Sequence, residues 1–205
     1  MPPSTPARRR PDDRPDEILA AALDEFAERG LAGARVADIA TRAGVAKGTV
    51  YLYFETKDAL FRAAVRKNTA DIVAAMREAA VGDTARAKLD AVLPVLWRVA
   101  RSPRFVTVYR LVMGELHQFP DLTRFYSQEV AGQMSLLLAE LIQEGIDLGE
   151  FRDLDPLTAA RMLVALCVKH ATWHARPDLF THLADQPEEA VIADISAFFF
   201  AALRP

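Results

Sequence analysis

Apolar residues recur with a helical period along almost the whole of this 205-residue chain. The first stripe is formed by Ile18, Leu19, Ala22, Leu23 and Phe26, and similar stripes follow to the C-terminal end. A period of 3.6 residues places apolar side chains on one face of an α-helix, whereas a strand needs a period of two. Because no segment shows sustained alternation of period two, the sequence predicts an all-α fold.

Proline, glycine and capping residues divide this pattern into nine predicted helices. They cover residues 15–29, 35–43, 46–53, 57–80, 85–101, 104–118, 121–147, 157–175 and 188–203. Residues 1–14 contain four of the twelve prolines and a run of three arginines, which is typical of a disordered arm. We therefore expect a basic arm at 1–14, a three-helix head at 15–61 and a helical body at 62–205.

The composition excludes several classes of protein. An apolar fraction of 51% can bury a core without metals or disulfides, and the lone Cys167 cannot form an intramolecular disulfide. No apolar run reaches the roughly 18 residues that a membrane span requires. The N-terminal arginines are not followed by the apolar stretch of a secretory signal. We expect a cytoplasmic protein that has no membrane partner and needs no cofactor.

The charge distribution is only weakly informative about partners. The formal net charge is −3 at pH 7, which by itself does not indicate a nucleic-acid-binding protein. Residues 1–67 nevertheless carry a small basic excess, whereas the remainder of the chain is acidic. This asymmetry is compatible with a polyanionic partner at the N-terminal end.

Residues 35–54 contain the most specific pattern in the chain. Two short predicted helices flank a tight turn at 43–45, where Gly44 can adopt a positive φ at no steric cost. Two such helices joined by a tight turn form a helix-turn-helix unit. Its small core is expected to consist of Ile39, Val45, Val50 and Phe54.

The second helix of this unit exposes residues that suit contact with DNA. Lys47 offers a charge to a phosphate or a guanine edge, and Gly48 permits close approach to the groove. Thr49 can donate to a phosphate or touch a thymine methyl group, while Tyr51 and Tyr53 combine a ring with a hydroxyl. Taken singly, the tyrosines could be core residues and Lys47 a solvated charge. A recognition helix explains the combination better.

The stretch GLAGARVADIATRAGVAKGTVYLYFETKDALF, residues 30–61, resembles the DNA-binding domain of the TetR family of bacterial transcriptional regulators. The resemblance implies a dimeric, ligand-responsive repressor, not an enzyme, that is released from a palindromic operator in double-stranded DNA by a small-molecule effector. Lys57 begins the next helix, whose free N–H groups could help it to hold a phosphate. The predicted DNA-contacting residues are Arg35, Lys47, Gly48, Thr49, Tyr51, Tyr53 and Lys57.

The chain departs from the family pattern at three places in this region. Ala34 and Arg35 replace the hydroxyl residue that usually opens the second helix, and Ala37 replaces a frequent arginine. Ala46 replaces the usual serine or threonine cap of the recognition helix. Additional phosphate contacts are expected from Arg35 and from the arm residues Arg8, Arg9, Arg10 and Arg14.

Bulky side chains on the middle helices are candidates for an effector pocket. Aromatic and methionine side chains suit a flat or flexible apolar ligand, so we expect a small, largely apolar or aromatic effector. The alternative is that these side chains fill the core and the regulator is not inducible. The candidates are Trp97, Phe105, Tyr109, Met113, His117, Phe125, Met134 and Leu137.

The last predicted helix is apolar around nearly its whole circumference and must therefore be covered. The resemblance implies that the last two helices pair with their copies as a four-helix bundle in a homodimer. The predicted interface residues are Ile192, Ile195, Phe198 and Phe199.

One cluster in the body leaves a different function open. Cys167, His170 and His174 have the spacing of residues on one helix face, so the three could bind a metal ion. This would make the chain a metal-responsive protein or an enzyme built on a helical bundle. The same residues also suit packing on a largely buried helix, which we consider the better interpretation.

Overall fold

The computed structural model describes residues 14–114, 118–130, 132–176, 178 and 186–205, apart from the side chain of Thr107. These ranges contain no strand, so the predicted all-α class is confirmed. Most of the predicted arm, including Arg8, Arg9 and Arg10, lies outside them. The helices are α1 (Arg14–Gly33), α2 (Val36–Arg42), α3 (Lys47–Tyr53), α4 (Lys57–Ala79), α5 (Ala85–Arg101), α6 (Pro103–Gly114), α7 (Pro120–Glu129), α8 (Gln133–Asp147), α9 (Pro156–His174) and α10 (Glu188–Leu203).

Two helix boundaries differ from the sequence-based prediction. The stripe at 121–147 is divided into α7 and α8, because α7 ends at Glu129, the N–H of the following Val130 donates to the Tyr126 carbonyl, and Gly132 precedes α8. Glycine costs about 1 kcal/mol relative to alanine inside a helix, which favours a break here. The predicted stop at Gly30 is a kink with φ 72° and ψ 170°, after which helical geometry resumes as far as Gly33.

Side chains cap several helix starts but not those of the helix-turn-helix unit. The Thr56 hydroxyl accepts a hydrogen bond from the Ala59 N–H at 3.0 Å and caps the start of α4. The Asp155 carboxylate accepts from the Thr158 N–H at 2.9 Å, and hydrogen bonding to the Thr158 side chain and to its N–H lowers the pKa of Asp155. Arg35 and Ala46 precede α2 and α3 without side-chain capping bonds, so tertiary packing must hold these short helices.

The described core consists of two apolar clusters. The head cluster joins α1–α4 and includes an edge-to-face contact between Phe26 and Phe61, whose ring centroids are 5.4 Å apart. It continues into the body through buried residues of α6 and α7, among them Leu111 and Phe125. The body cluster is built mainly from α5, α8, α9 and α10. A domain boundary after residue 61 would therefore lie inside α4 and inside the head cluster.

Helix α4 contributes to both clusters. Leu60, Phe61, Ala64 and Val65 at its N-terminal end are buried in the head, and Met76 near its C-terminal end is buried in the body. The head and the body are thus connected by one continuous 23-residue helix. None of the described helices is long and apolar enough to cross a membrane.

Candidate DNA interface and ligand cavity

The turn between α2 and α3 has the geometry that the sequence predicts. Gly44 has a φ of 67°, and the Val45 N–H donates to the Ala40 carbonyl at 2.9 Å, which closes the turn. Ile39 and Val50 are completely or almost completely buried, and Val45 and Phe54 pack partly buried against the same cluster. One face of α3 is therefore fixed on the head, and the opposite face is left outside.

The outer face of α3 carries most of the residues predicted to contact DNA. Tyr51 and Tyr53 are each 44% exposed and are not core residues, and Lys47 and Gly48 are also exposed. Thr49 is half-buried. The Lys47 ammonium group lies 5.8 Å from the centroid of the Tyr51 ring. α3 contains no acidic residue, so nothing on the helix itself repels a phosphate.

The basic residues of the head differ in whether they are already paired. Arg42 donates to the Glu28 carboxylate at 2.8 Å and lies 3.4 Å from that of the buried Glu25, which also pairs with Arg29. The hydrogen bond from Arg42 lowers the pKa of Glu28. Within the described residues, the exposed Arg35 and Lys47 form no ion pair. These two cations remain available to a polyanion.

The prediction for Lys57 has to be corrected. Its ammonium group donates to the backbone carbonyls of Leu31, Ala32 and Ala34 at 2.8, 3.3 and 3.3 Å. An ammonium group has three N–H donors, and three carbonyl partners occupy them. These carbonyls lie at the C-terminal end of α1 and just beyond it, where the helix dipole favours a positive charge. Lys57 ties α4 to α1 instead of presenting its charge to a phosphate.

We expect Lys57→Met to lower the free energy of unfolding by about 1.5–3 kcal/mol, because charged hydrogen bonds to buried carbonyls are lost. The slope of log affinity for DNA against log salt concentration should not change, because no phosphate contact is removed. Arg35→Met is the control, and it should flatten this slope by about one per protomer. Chemical denaturation and binding titrations at several salt concentrations measure both quantities. A flattened slope for Lys57→Met would show that Lys57 does contact a phosphate and would contradict this correction.

A narrow cavity of about 40 Å³ lies between α4, α6, α7 and α8. Phe105, Tyr109 and Met134, three of the predicted pocket residues, line it, and the rings of Phe105 and Tyr109 are stacked with centroids 6.0 Å apart. Sequence analysis missed the other lining residues, since no local pattern shows which helices meet there. They are Asn68, Thr69, Ile72, Val108, Tyr126 and Val130.

The cavity combines apolar walls with polar groups that have no partner. Within the described part of the chain, the side chains of Asn68, Thr69, Tyr109 and Tyr126 make no hydrogen bond. Burial raises the pKa of Tyr126, and the nearby Tyr109 raises it further. Amide and hydroxyl groups in such a setting can donate to and accept from a ligand.

The remaining predicted pocket residues do not line this cavity. Trp97 and Leu137 are buried in the body cluster, and the Trp97 indole N–H donates to Glu188 at 3.1 Å. Phe125 is buried in the head cluster, with the guanidinium groups of Arg62 and Arg66 within 5 Å of its ring centroid. Met113 is 62% exposed because its side of α6 is not covered. His117 lies outside the described residues.

Helices α9 and α10 share an uncovered apolar surface, which we call the α9–α10 face. Its exposed residues are Met162 and Phe198, at 60% and 67%, and the half-buried Leu166 and Trp173 lie beside them. Together with Ala165, Lys169 and His170, these side chains line an open groove of about 510 Å³. An exposed apolar patch of this kind marks an interaction surface.

Two of the predicted interface residues are already covered within the chain. Ile195 and Phe199 are 6% and 5% exposed, because their side of α10 packs into the body cluster. Phe199 contacts Phe200 with ring centroids 5.9 Å apart. The burial of Ile195 and Phe199 therefore does not depend on a dimer. Ile192 is half-buried, and Phe198 is the member of the set that faces outward.

The geometry does not support a metal site at Cys167, His170 and His174. Cys167 is buried in the body cluster, and burial raises the pKa of its thiol to about 12. His170 lies against Trp173, whereas His174 Nε2 lies 2.9 Å from the Gln186 carbonyl oxygen and its ring meets the edge of Trp97. No group of three possible metal ligands occurs among the described residues. Cys167 is a core residue, and the two histidines contact tryptophan rings.

Two family models match the chain. The model described as bacterial regulatory proteins of the tetR family matches residues 18–64. The model described as the C-terminal domain of AefR-like transcriptional repressors matches residues 87–205. The first match includes the whole helix-turn-helix unit, and the second includes most of the body.

Curated relatives and solved structures agree with these matches. The chain is 31% identical to the transcriptional repressor KstR2 of Rhodococcus jostii over 73% of this chain and 74% of the relative. It is 28% identical to KstR2 of Mycolicibacterium smegmatis over 84% and 82% of the two chains. The crystal structure of the Bacillus subtilis regulator FadR in complex with stearoyl-CoA aligns with a TM-score of 0.73 and 23% identity, over 92% of this chain and 99% of that one.

Proposed function

Because the chain belongs to the TetR family of bacterial transcriptional regulators, we propose that it is a repressor that binds its operator through α3 and leaves it when a small effector binds in the body. The observation that carries this proposal is the outer face of α3, which exposes Lys47, Gly48, Tyr51 and Tyr53 above a fixed apolar core. Two half-exposed tyrosines beside an exposed lysine and an open glycine form a surface that suits contact with the sugar-phosphate backbone and the base edges of DNA.

The proposed roles of the α3 residues follow from their chemistry. Tyr51 and Tyr53 contact bases and the sugar-phosphate backbone, and Thr49 contacts a phosphate or a thymine methyl group. Lys47 binds a phosphate or a guanine edge, and Arg35 at the start of α2 binds a phosphate. Arg14 and the arm add further charge. The head at 15–61 is the DNA-binding unit, and it shares α4 with the body at 62–205.

We infer that the regulator is a homodimer formed through the α9–α10 face. Two copies of that face would cover Met162, Leu166, Trp173 and Phe198 and form a four-helix bundle. Recognition helices about 34–36 Å apart would enter successive major grooves, and the two-fold symmetry of the dimer requires a pseudopalindromic operator.

The cavity between α4, α6, α7 and α8 is the proposed effector site. Its apolar walls and its unpartnered amide and hydroxyl groups suit a largely apolar or aromatic effector with a polar end. A volume of about 40 Å³ holds only a few water molecules, so a larger effector must move the surrounding helices apart. The FadR structure that contains stearoyl-CoA is a precedent for a ligand with a long apolar chain and a polar end in this fold.

In vitro selection from random duplexes tests the DNA-binding function. We expect a pseudopalindromic site to be selected, and we expect Tyr51→Ala to weaken binding to it at least tenfold, comparable with one wrong base pair. Non-specific binding should change less than about twofold, because it depends on charge. Tyr51→Phe separates the ring from the hydroxyl. Unchanged specific binding by Tyr51→Ala would show that α3 is not the recognition helix.

A further inference from the structure

Leu52 belongs to neither apolar cluster of the described residues, although it lies in the middle of the proposed DNA interface. At 83% exposed, it is the most exposed large apolar side chain in the described residues. The other exposed members of α3 combine polar and apolar groups, or have no side chain at all. An isolated leucine on a surface is ordinary, but this one lies on the recognition helix.

The helical geometry places Leu52 at the centre of the outer face. Successive residues of an α-helix are rotated by about 100°, so Gly48 and Leu52 project opposite the buried Val50. Lys47 and Tyr51 lie on one flank of this line, and Thr49 and Tyr53 lie on the other. Leu52, rather than either tyrosine, therefore points most directly away from the head.

The dimensions of α3 allow Leu52 to reach the bases. Seven residues span about 10 Å, which is close to the major-groove width of about 12 Å. A Cβ atom on Gly48 would meet nothing within 4 Å, so the position is open and a neighbouring surface can approach closely there. When the backbone at Gly48 approaches the groove, Leu52 one turn later enters it as well.

We propose that Leu52 recognises a thymine in each half-site by packing its side chain on the C5-methyl group. This inference rests on the proposed DNA-binding function. The other features of the major-groove edges are hydrogen-bond donors and acceptors, and a leucine would remove water from them without replacing the bonds. The thymine methyl group is the apolar feature of the groove that a leucine can cover favourably.

A scan with deoxyuridine tests this proposal, because deoxyuridine lacks only the C5-methyl group of thymine. Each thymine of an in vitro selected duplex is replaced symmetrically in both half-sites, and dissociation constants are measured by fluorescence anisotropy. Wild-type protein should lose about tenfold in affinity at one position, the effect expected for two buried methyl groups. Leu52→Ala should bind the thymine duplex about tenfold more weakly and should differ less than about twofold between thymine and deoxyuridine there.

Leu148→Ala is the matched control, since Leu148 is also exposed, at 63%, but lies in the body after α8. It should retain the wild-type response to deoxyuridine. If the wild type is insensitive at every position, or if Leu52→Ala keeps the full sensitivity, the inference is overturned while DNA binding stands. If no duplex is selected at all, the proposed function itself fails, and this inference fails with it.

Discussion

Phe198→Asp is expected to give a folded monomer that binds a selected operator about a thousandfold more weakly than the wild type. The side chain is 67% exposed in the single chain, so a carboxylate there disturbs the chain's own core little. In a dimer formed through the α9–α10 face, two unpaired charges would have to lose water. A monomer also loses the gain from binding two half-sites together, which is typically 10²–10⁴-fold.

The experiment requires a comparison that separates loss of the dimer from loss of the fold. Leu148→Asp places a charge on a similarly exposed residue away from the face and should remain dimeric with wild-type affinity. Ile195→Asp buries a charge in the body cluster and should unfold the protein. Sedimentation, thermal melting and operator titration are measured for all three variants. A dimeric Phe198→Asp protein at micromolar concentration would move the interface elsewhere.

Gly48→Leu is expected to change stability and operator binding in opposite directions. A Cβ atom at this position meets nothing within 4 Å, and leucine favours an α-helix over glycine by nearly 1 kcal/mol. The melting temperature should therefore rise by about 2–4 °C. Operator affinity should fall about a hundredfold, comparable with one wrong base pair in each half-site, because the backbone of α3 can no longer approach the groove.

Gly48→Ala should raise the melting temperature by a similar amount, because alanine favours a helix at least as much as leucine, and its smaller side chain should weaken operator binding less. Gly114→Leu is the matched control, because its Cβ position at the end of α6 is equally open within the chain. It should leave operator affinity unchanged. Tight binding by Gly48→Leu would show that this side of α3 does not face DNA, and it would also remove the geometric basis for the role of Leu52.

The helix-turn-helix unit was predictable because its determinants are local. A tight turn with positive φ at Gly44, apolar Val50 and outward Tyr51 lie within a few residues of one another, so periodicity and turn chemistry suffice. The break between α7 and α8 also has a local signal, Gly132, but the apolar stripe continues across it and predicts a single helix. Sequence analysis missed Leu52, because a leucine gives no chemical signal of function until its exposure is known.

The body was less predictable because its functional surfaces depend on which helices meet. α10 is apolar on most sides, so the sequence could not show that Phe199 packs inward while Phe198 faces out. Met113 and Trp97 have side chains of the type that lines ligand pockets, yet Met113 is exposed and Trp97 lies in the core. The acceptors of Lys57 lie 23–26 residues earlier in the chain, and no local pattern reveals backbone carbonyls as partners.

The continuity of α4 gives a simple mechanical estimate of how an effector could release DNA. Ile72 lines the cavity, and Lys57 lies about 22 Å away along the helix axis, at 1.5 Å per residue. A rotation of about 5° around the cavity end would swing the other end by about 2 Å, given this lever length. Lys57 would carry the end of α1 with it.

In a dimer the displacements of the two heads add to about 4 Å. This is about a tenth of the helical repeat of about 34 Å that the two recognition helices must match. A ligand therefore needs to rotate α4 by only a few degrees. The unbroken α4, bonded through Lys57 to the end of α1, would convert this rotation into a mismatch with the operator.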